Sequence, residues 1–323
     1  MNRPPDVLRA FDRCPPIVRN IIDYVERYFG SFFIIPCGSS FEGTQVDASA
    51  DIDLMLILPI RYFQLFPIPF SEFKTFDILG RGYVVNSRQY FETILTPVLK
   101  FNSRHYGDVV VVEVHGPAVT LKITTPNGRH ISVDLTLAIR VQWPVVAKEW
   151  TTRPRVWPDQ NHLQLIVFQD GCHLVAKRPT GPEHFKDFCW KFSFSAAEMR
   201  LFNLGGIADG NQNCLRQVLR KLKTFGPYLK PLSSYHFKTI CFYLREMTHS
   251  FLWRYDYCEE RLKNVLLMLE NFLKVQSCPN FFIKTFNLFE EFSPLICCDL
   301  FNKVRALRMY GNVIQAPGGV LIC

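Results

Sequence analysis

Apolar residues recur at helical spacing over 15–30: Ile17, Val18, Ile21, Ile22, Val25, Tyr28 and Phe29 share one face, Pro15 and Pro16 suit the entry, and Gly30 ends the pattern. The opposite face carries Arg19, Asn20, Asp23 and Arg27, with Arg9 and Arg13 just upstream; a solvated outer face is its ordinary reading. A short apolar strand is predicted over 32–36, then a Gly38-Ser39-Ser40 turn that opens a helix, and a second strand over 52–58. An apolar loop follows over 59–74 and a strand-helix segment over 82–99. Three strands are predicted over 108–115, 118–125 and 129–139, the last two joined by Pro126-Asn127-Gly128, a strong hairpin signal.

Beyond residue 141 the pattern changes. A Pro/Trp-rich connection over 143–161 leads to strand-like stretches at 164–168 and 172–177, and helical periodicity then recurs over 196–204, 213–225, 233–251, 258–275 and 293–309. The tail, 310–323, reads as irregular. The shift predicts an α+β protein with a mixed α/β lobe over 1–145, built on a central twisted sheet, and a mostly helical lobe over 146–323.

Composition narrows the class. The 323 residues are 48% hydrophobic, enough for a buried core, and the formal net charge of +8 favours an anionic partner. Eleven cysteines without a C-x-x-C pair, Cys297 and Cys298 included, read as reduced thiols rather than a disulfide or zinc framework. No apolar run reaches the roughly 20 residues that span a bilayer, and the first residues lack an export signal's apolar core. A cytoplasmic protein without a membrane partner is expected.

The candidate chemistry lies in PCGSSFEGTQVDASADIDLMLIL, residues 36–58. Side chains two apart on a strand share a face, so Asp51 and Asp53 project together. Paired carboxylates at a buried strand need an offsetting charge, and a divalent cation is the simplest one. On the strand 129–139, Ser132, Asp134 and Thr136 fall on one face and Ile131, Val133, Leu135 and Leu137 on the other, which makes Asp134 a third candidate. Gly38 and Ser39 form a turn of the kind whose N–H groups and hydroxyls hold phosphate. Three carboxylates after such a turn are the parts of two-metal nucleotidyl transfer, with ions about 3.5 to 4 Å apart.

The pattern GS-x11-DID resembles the nucleotidyltransferase superfamily. Within it, the chain resembles the branch of cyclic GMP-AMP synthase-like receptors and male-abnormal-type proteins. Five blocks carry the resemblance in order: GSSFEGTQVDASADIDLMLIL at 38–58, ISVDLTLAI at 131–139, WKFSFS at 190–195, LSSYHFKT at 232–239 and FFIKTFNLF at 281–289. It implies a bilobal nucleotidyltransferase fold whose second lobe completes the nucleotide cleft. It further implies that Asp51, Asp53 and Asp134 are catalytic and hold two Mg²⁺ or Mn²⁺ ions. Gly38, Ser39, Lys191, Ser193, Ser195, Ser234 and Tyr235 would contact nucleotide, Tyr235 by stacking on a base. Lys191 stands where a base-reading arginine is usual and cannot reproduce its planar fork. A phosphate-holding lysine of the family falls near Arg216 or Arg220.

The inserted zinc ribbon found in part of the branch has no counterpart: residues 203–213, NLGGIADGNQN, precede a single cysteine, Cys214. No zinc is expected, and relatives without the ribbon respond to duplex RNA. The resemblance therefore implies an RNA-activated enzyme that joins ATP and GTP into a cyclic dinucleotide for a downstream receptor in innate immune signalling. Arg13, Arg19, Arg27, Arg220, Lys221 and Lys223 are the candidate RNA contacts. Three alternatives stand beside it: activation by DNA, a silent nucleotide- or nucleic-acid-binding protein, and a linear oligonucleotide synthase.

Overall fold

The computed structural model of the chain describes residues 16–29, 33–46, 50–58, 64–67, 73–77, 109–115, 118–176, 190–204 and 213–310. The chain divides into two compact units: residues 1–42, 47–142 and 170–199 form the first, and residues 43–46, 143–169 and 200–323 the second. The path thus crosses between units several times, where the sequence pattern suggested one boundary at 145/146.

The first unit begins with α1 (Pro16–Phe29), an amphipathic helix that buries Val18 and Ile22. Then come β1 (Phe33–Cys37), the one-turn helix α2 (Gly38–Glu42) and β2 (Ala50–Leu58). Further strands are β3 (Gln64–Pro67), β4 (Phe73–Asp77), β5 (Val109–His115), β6 (Ala118–Thr124) and β7 (His130–Val141). Strands β8 (Cys172–Ala176) and β9 (Trp190–Ser193) complete a nine-stranded mixed sheet, seven strands of which run in the order β1-β2-β7-β8-β9-β4-β3, while β6 pairs with β7 off this path and β5 with β6. Among the described strands only β2 and β7 pair in parallel.

Strand β7 organises this sheet because it is 12 residues long. One edge takes all of β2; the other takes β6 along its first half and β8 along its second. The hairpin between β6 and β7 closes where the sequence predicts it, with Gly128 N–H donating to the Thr125 carbonyl at 2.8 Å and Gly128 at φ +76°. The predicted alternation holds too: Ile131, Val133, Leu135 and Leu137 are buried, while Ser132, Asp134 and Thr136 are half-buried.

The second unit holds α3 (Lys148–Thr152), α4 (Gln160–Leu165), α6 (Cys214–Thr224), α7 (Ser234–Met247), α8 (Cys258–Lys274) and α9 (Pro294–Tyr310). The helix α5 (Ser195–Leu204) carries the chain into it. Its core is aromatic: the rings of Trp150 and Phe282, of Phe202 and Phe242, and of Phe242 and Phe281 lie 5.0, 5.0 and 5.2 Å apart. Buried beside it, Glu246 pairs with Arg153 at 2.9 Å and Arg155 at 3.6 Å. Among the described residues no helix is long and apolar enough to cross a membrane.

Three expectations are corrected. The stretch 59–74, predicted as a loop, contains β3 and the start of β4, whose backbone finds partners in β9; local composition carries no trace of that pairing. The stretch 164–168 is helical, not a strand: Asp159 caps α4 by accepting from His162 N–H at 2.9 Å, and a π-turn over Ile166–Asp170 continues it. The helix predicted over 233–251 ends at Met247, where Thr248 turns extended, and a separate 3₁₀ turn spans Ser250–Trp253. The segment 82–99, Arg13, most of the 203–213 loop and the tail beyond Tyr310 lie outside the described residues.

Candidate active site

Asp53 lies in register with Asp134 across the parallel pair β2 and β7, and Asp51 with Ser132. Register partners share a face, so all three carboxylates lie on one face of the sheet within two neighbouring strands. On the far side of β7, Thr120 is in register with Asp134 and Lys122 with Ser132. Two rows of side chains therefore cross this end of the sheet: Cys37, Asp53, Asp134 and Thr120, then Asp51, Ser132 and Lys122. Farther along, the same face turns apolar, with Met55, Ile57, Ala138 and Val175 packed on Ile35 and Cys37.

Two contacts fix the carboxylates. Thr120 Oγ1 donates to Asp134 Oδ1 at 2.5 Å. Asp53 sits against Gly38: a Cβ added there would lie 1.8 Å from Asp53 Oδ2, and Gly38 has φ +76°. Glycine is required both for the left-handed backbone that turns β1 into α2 and for the carboxylate's approach. Asp51 is exposed and borders a pocket of about 290 Å³ lined also by Lys122, Thr124, His130 and Ser132. Among the described residues, no three His, Cys, Asp or Glu side chains converge as they would around an ion.

Other predicted residues are placed as follows. Ser39 is half-buried as the second residue of α2. Lys191, Ser193 and Ser195 are half-buried at β9 and the start of α5, with the two serine hydroxyls 2.9 Å apart. In the second unit, Ser234 is exposed at the start of α7, and the Tyr235 hydroxyl accepts from Asn280 Nδ2 at 3.0 Å.

The basic candidates differ from one another. On α1, Arg19 is half-buried, while Arg27 is exposed and its Nε donates to the Asp23 carbonyl at 3.3 Å. On α6, Arg220 is half-buried, as is Lys221, whose Nζ lies 5.8 Å from the Phe225 ring centroid. Lys223 Nζ donates to the Thr44 carbonyl at 3.0 Å and meets Thr44 Oγ1 at 3.1 Å, so it holds the segment after α2. Arg216, the alternative to Arg220, donates to Asn203 Oδ1 at 2.9 Å.

Sequence reasoning missed Thr120, Lys122 and Thr44. For the first two the signal was available, because the Asn127-Gly128 hairpin sets the β6/β7 register; for Thr44 there was none.

Two family models match the chain. The Mab-21 protein nucleotidyltransferase domain matches residues 78–204, a span that contains Asp134, Lys191, Ser193 and Ser195 but begins after Asp51 and Asp53. The Mab-21 protein HhH/H2TH-like domain matches residues 212–306, which contain Arg220, Lys221, Lys223, Ser234 and Tyr235. The first match supports a nucleotidyltransferase-like role, with nucleotides as substrates. With well over half of its length matched by these two domains in order, the chain belongs to the Mab-21 family.

Proposed function

We propose that this chain is a cyclic dinucleotide synthase that joins ATP and GTP by two successive nucleotidyl transfers and is switched on by double-stranded RNA. The observation that carries the reading is the register of Asp53 with Asp134 on parallel strands, with Asp51 on the same face. All three supply carboxylate oxygen, the ligand type that Mg²⁺ and Mn²⁺ take, and they would hold the two ions. Once bound, such ions neutralise triphosphate charge and favour the attacking alkoxide.

The chain's own groups do the positioning. Thr120 holds Asp134 in one rotamer, and Gly38 leaves room for the Asp53 carboxylate. Ser39, at the turn into α2, offers a hydroxyl to phosphate. Lys191 serves as a point charge rather than a fork, so base choice rests more on stacking over Tyr235, whose ring orientation is set by Asn280. Duplex RNA would be held through phosphates by Arg19, Arg27 and Lys221, with Arg13 upstream. Lys223 belongs instead to the fixing of Thr44. The product would be read by a separate cyclic-dinucleotide receptor in the cytoplasm, as part of innate immune signalling.

The test incubates the purified chain with all four NTPs, Mg²⁺ or Mn²⁺, and duplex RNA or duplex DNA, and weighs any phosphatase-resistant product. A cyclic dinucleotide formed with RNA, and lost in the double variant Asp51→Ala with Asp53→Ala, is the expected result. Synthesis retained by that double variant sinks the reading. A second reading is nucleotide binding without turnover. Saturable NTP binding with no product under any activator would establish it.

A further inference from the structure

Two neighbouring residues at the head of α7 grip the same loop. The Tyr235 hydroxyl accepts from Asn280 Nδ2 at 3.0 Å, and His236 Nε2 lies 3.1 Å from the Leu288 carbonyl oxygen. Between these anchors the loop is tied to itself: Asn280 N–H donates to the Phe286 carbonyl at 2.7 Å, and Leu288 N–H to the Cys278 carbonyl at 2.7 Å. Asn280 Oδ1 accepts from Phe282 N–H at 2.9 Å and from Ile283 N–H at 3.0 Å, which orients the amide so that its Nδ2 meets Tyr235. Asn280 and Leu288 therefore belong to one stiff piece of chain.

The partners of His236 choose its tautomer. As the third residue of α7 it completes a capping box with Ser233, in the place where glutamate or glutamine is usual. Ser233 N–H donates to Nδ1 at 2.9 Å, so Nδ1 carries the lone pair and the ring proton sits on Nε2, where it donates to the Leu288 carbonyl. The ring also stacks on Phe289 at 5.7 Å and lies 5.6 Å from the Phe292 ring, and those two rings stack on each other at 5.2 Å. Burial, ahead of the opposing bond to Leu288, holds the imidazole below its usual value and keeps it neutral. Glutamine would serve the cap, but neither the stack nor both hydrogen bonds at once. The cap alone therefore does not account for a histidine here.

The geometry points to His236 as a positioning residue for base recognition: its imidazole bolts the loop 278–289 to the head of α7, which holds Asn280 against the Tyr235 hydroxyl and gives the Tyr235 ring one fixed face to offer a nucleobase. The inference rests on the reading of Tyr235 as the base platform. His236 touches no nucleotide itself. Its contribution is preorganisation: a half-buried tyrosine at the start of a helix would otherwise have to be ordered when the base arrives, and that cost is removed beforehand. Tyr235 and His236 are adjacent in the chain and hold points eight residues apart in the loop, so the loop cannot pivot about either contact alone.

The test compares the full-length wild type with His236→Gln, which leaves α7 a capping-box residue. Hydrogen exchange read by mass spectrometry should quicken over 278–289 and stay unchanged over α8. The dissociation constants for Mg-ATP and Mg-GTP, measured by equilibrium dialysis, should rise about five- to tenfold, less than in Tyr235→Ala, because stacking is loosened rather than removed. In the Tyr235→Ala background, His236→Gln should weaken binding no further. Equal affinity of wild type and His236→Gln overturns the positioning role alone, as does unchanged exchange over the loop or a full additive loss on top of Tyr235→Ala. A wild type that binds neither nucleotide fails the reading of the site itself, and the role with it. The wild type also decides without any variant: its long-range proton–nitrogen NMR spectrum should show His236 protonated at Nε2 at neutral pH, and a proton on Nδ1 overturns the proposal.

Discussion

Thr120 Oγ1 donates to Asp134 Oδ1 at 2.5 Å from the strand on one side of Asp134, while Asp53 lies in register on the other. Thr120→Val keeps the shape and removes the donor. A hydrogen bond to a charged group contributes roughly 1.5–3 kcal/mol, so nucleotidyl transfer should fall about tenfold or more, and Thr120→Ser should retain most of it. Steady-state rates of the two variants check this; equal rates would leave Thr120 without a role.

Gly38 and Asp53 should couple. Gly38→Ala forces a side chain into a backbone at φ +76° and onto the Asp53 carboxylate, for a loss of about 1–3 kcal/mol in stability. In Asp53→Ala the obstructing oxygen is gone, so adding Gly38→Ala there should cost only the backbone strain. Denaturant unfolding of the four proteins in the cycle measures the coupling; strict additivity would refute the contact.

Stability should fall on mild acidification. His173 is 1% exposed; burial first, and Arg140 second, push its ring down to about 4 from 6.5. The folded state therefore resists a proton that the unfolded chain accepts. This contribution is fully present above about 6.5 and is lost as pH falls toward 4, by at most roughly 3 kcal/mol. His173 Nδ1 is also buried without a hydrogen-bond partner, so His173→Leu should flatten the slope at little cost near neutrality. His236, held below its usual value by burial, leaves a remainder of the same sign. Urea midpoints taken across pH 4 to 7 test the sign.

Glu246 balances two buried cations. Burial holds its carboxyl above the usual range, while Arg153 and Arg155 oppose that shift. Removing it leaves Arg155 without its paired carboxylate and Arg153 with only the half-exposed Glu149, at 3.4 Å, so Glu246→Ala should cost about 3 kcal/mol. Equilibrium unfolding checks this, and a loss under 1 kcal/mol would show that the arginines rearrange.

Much of the site is legible in the sequence, for physical reasons. The alternation of Ile131 to Leu137 fixes which face Asp134 takes, and the Asn127-Gly128 turn fixes its hairpin register. The spacing of Asp51 and Asp53 fixes theirs. The pairing of Asp53 with Asp134 is different, because a parallel partner far along the chain leaves no periodic mark on either strand. The same lack hid β3 and β4. At 164–168 the local sign existed, in the Asp159 cap, but an apolar run as short as Leu165 to Val167 serves a helix or a strand equally well.

The closeness of Gly38 to Asp53 also bears on inheritance. As long as the carboxylate is kept, almost no other residue fits at position 38. A lineage that abandons the chemistry and replaces Asp53 releases that steric half of the constraint and keeps only the backbone half. Asparagine, which tolerates the left-handed conformation best after glycine, should then be among the first residues to appear at position 38, and its arrival would mark a descendant that has stopped using the site.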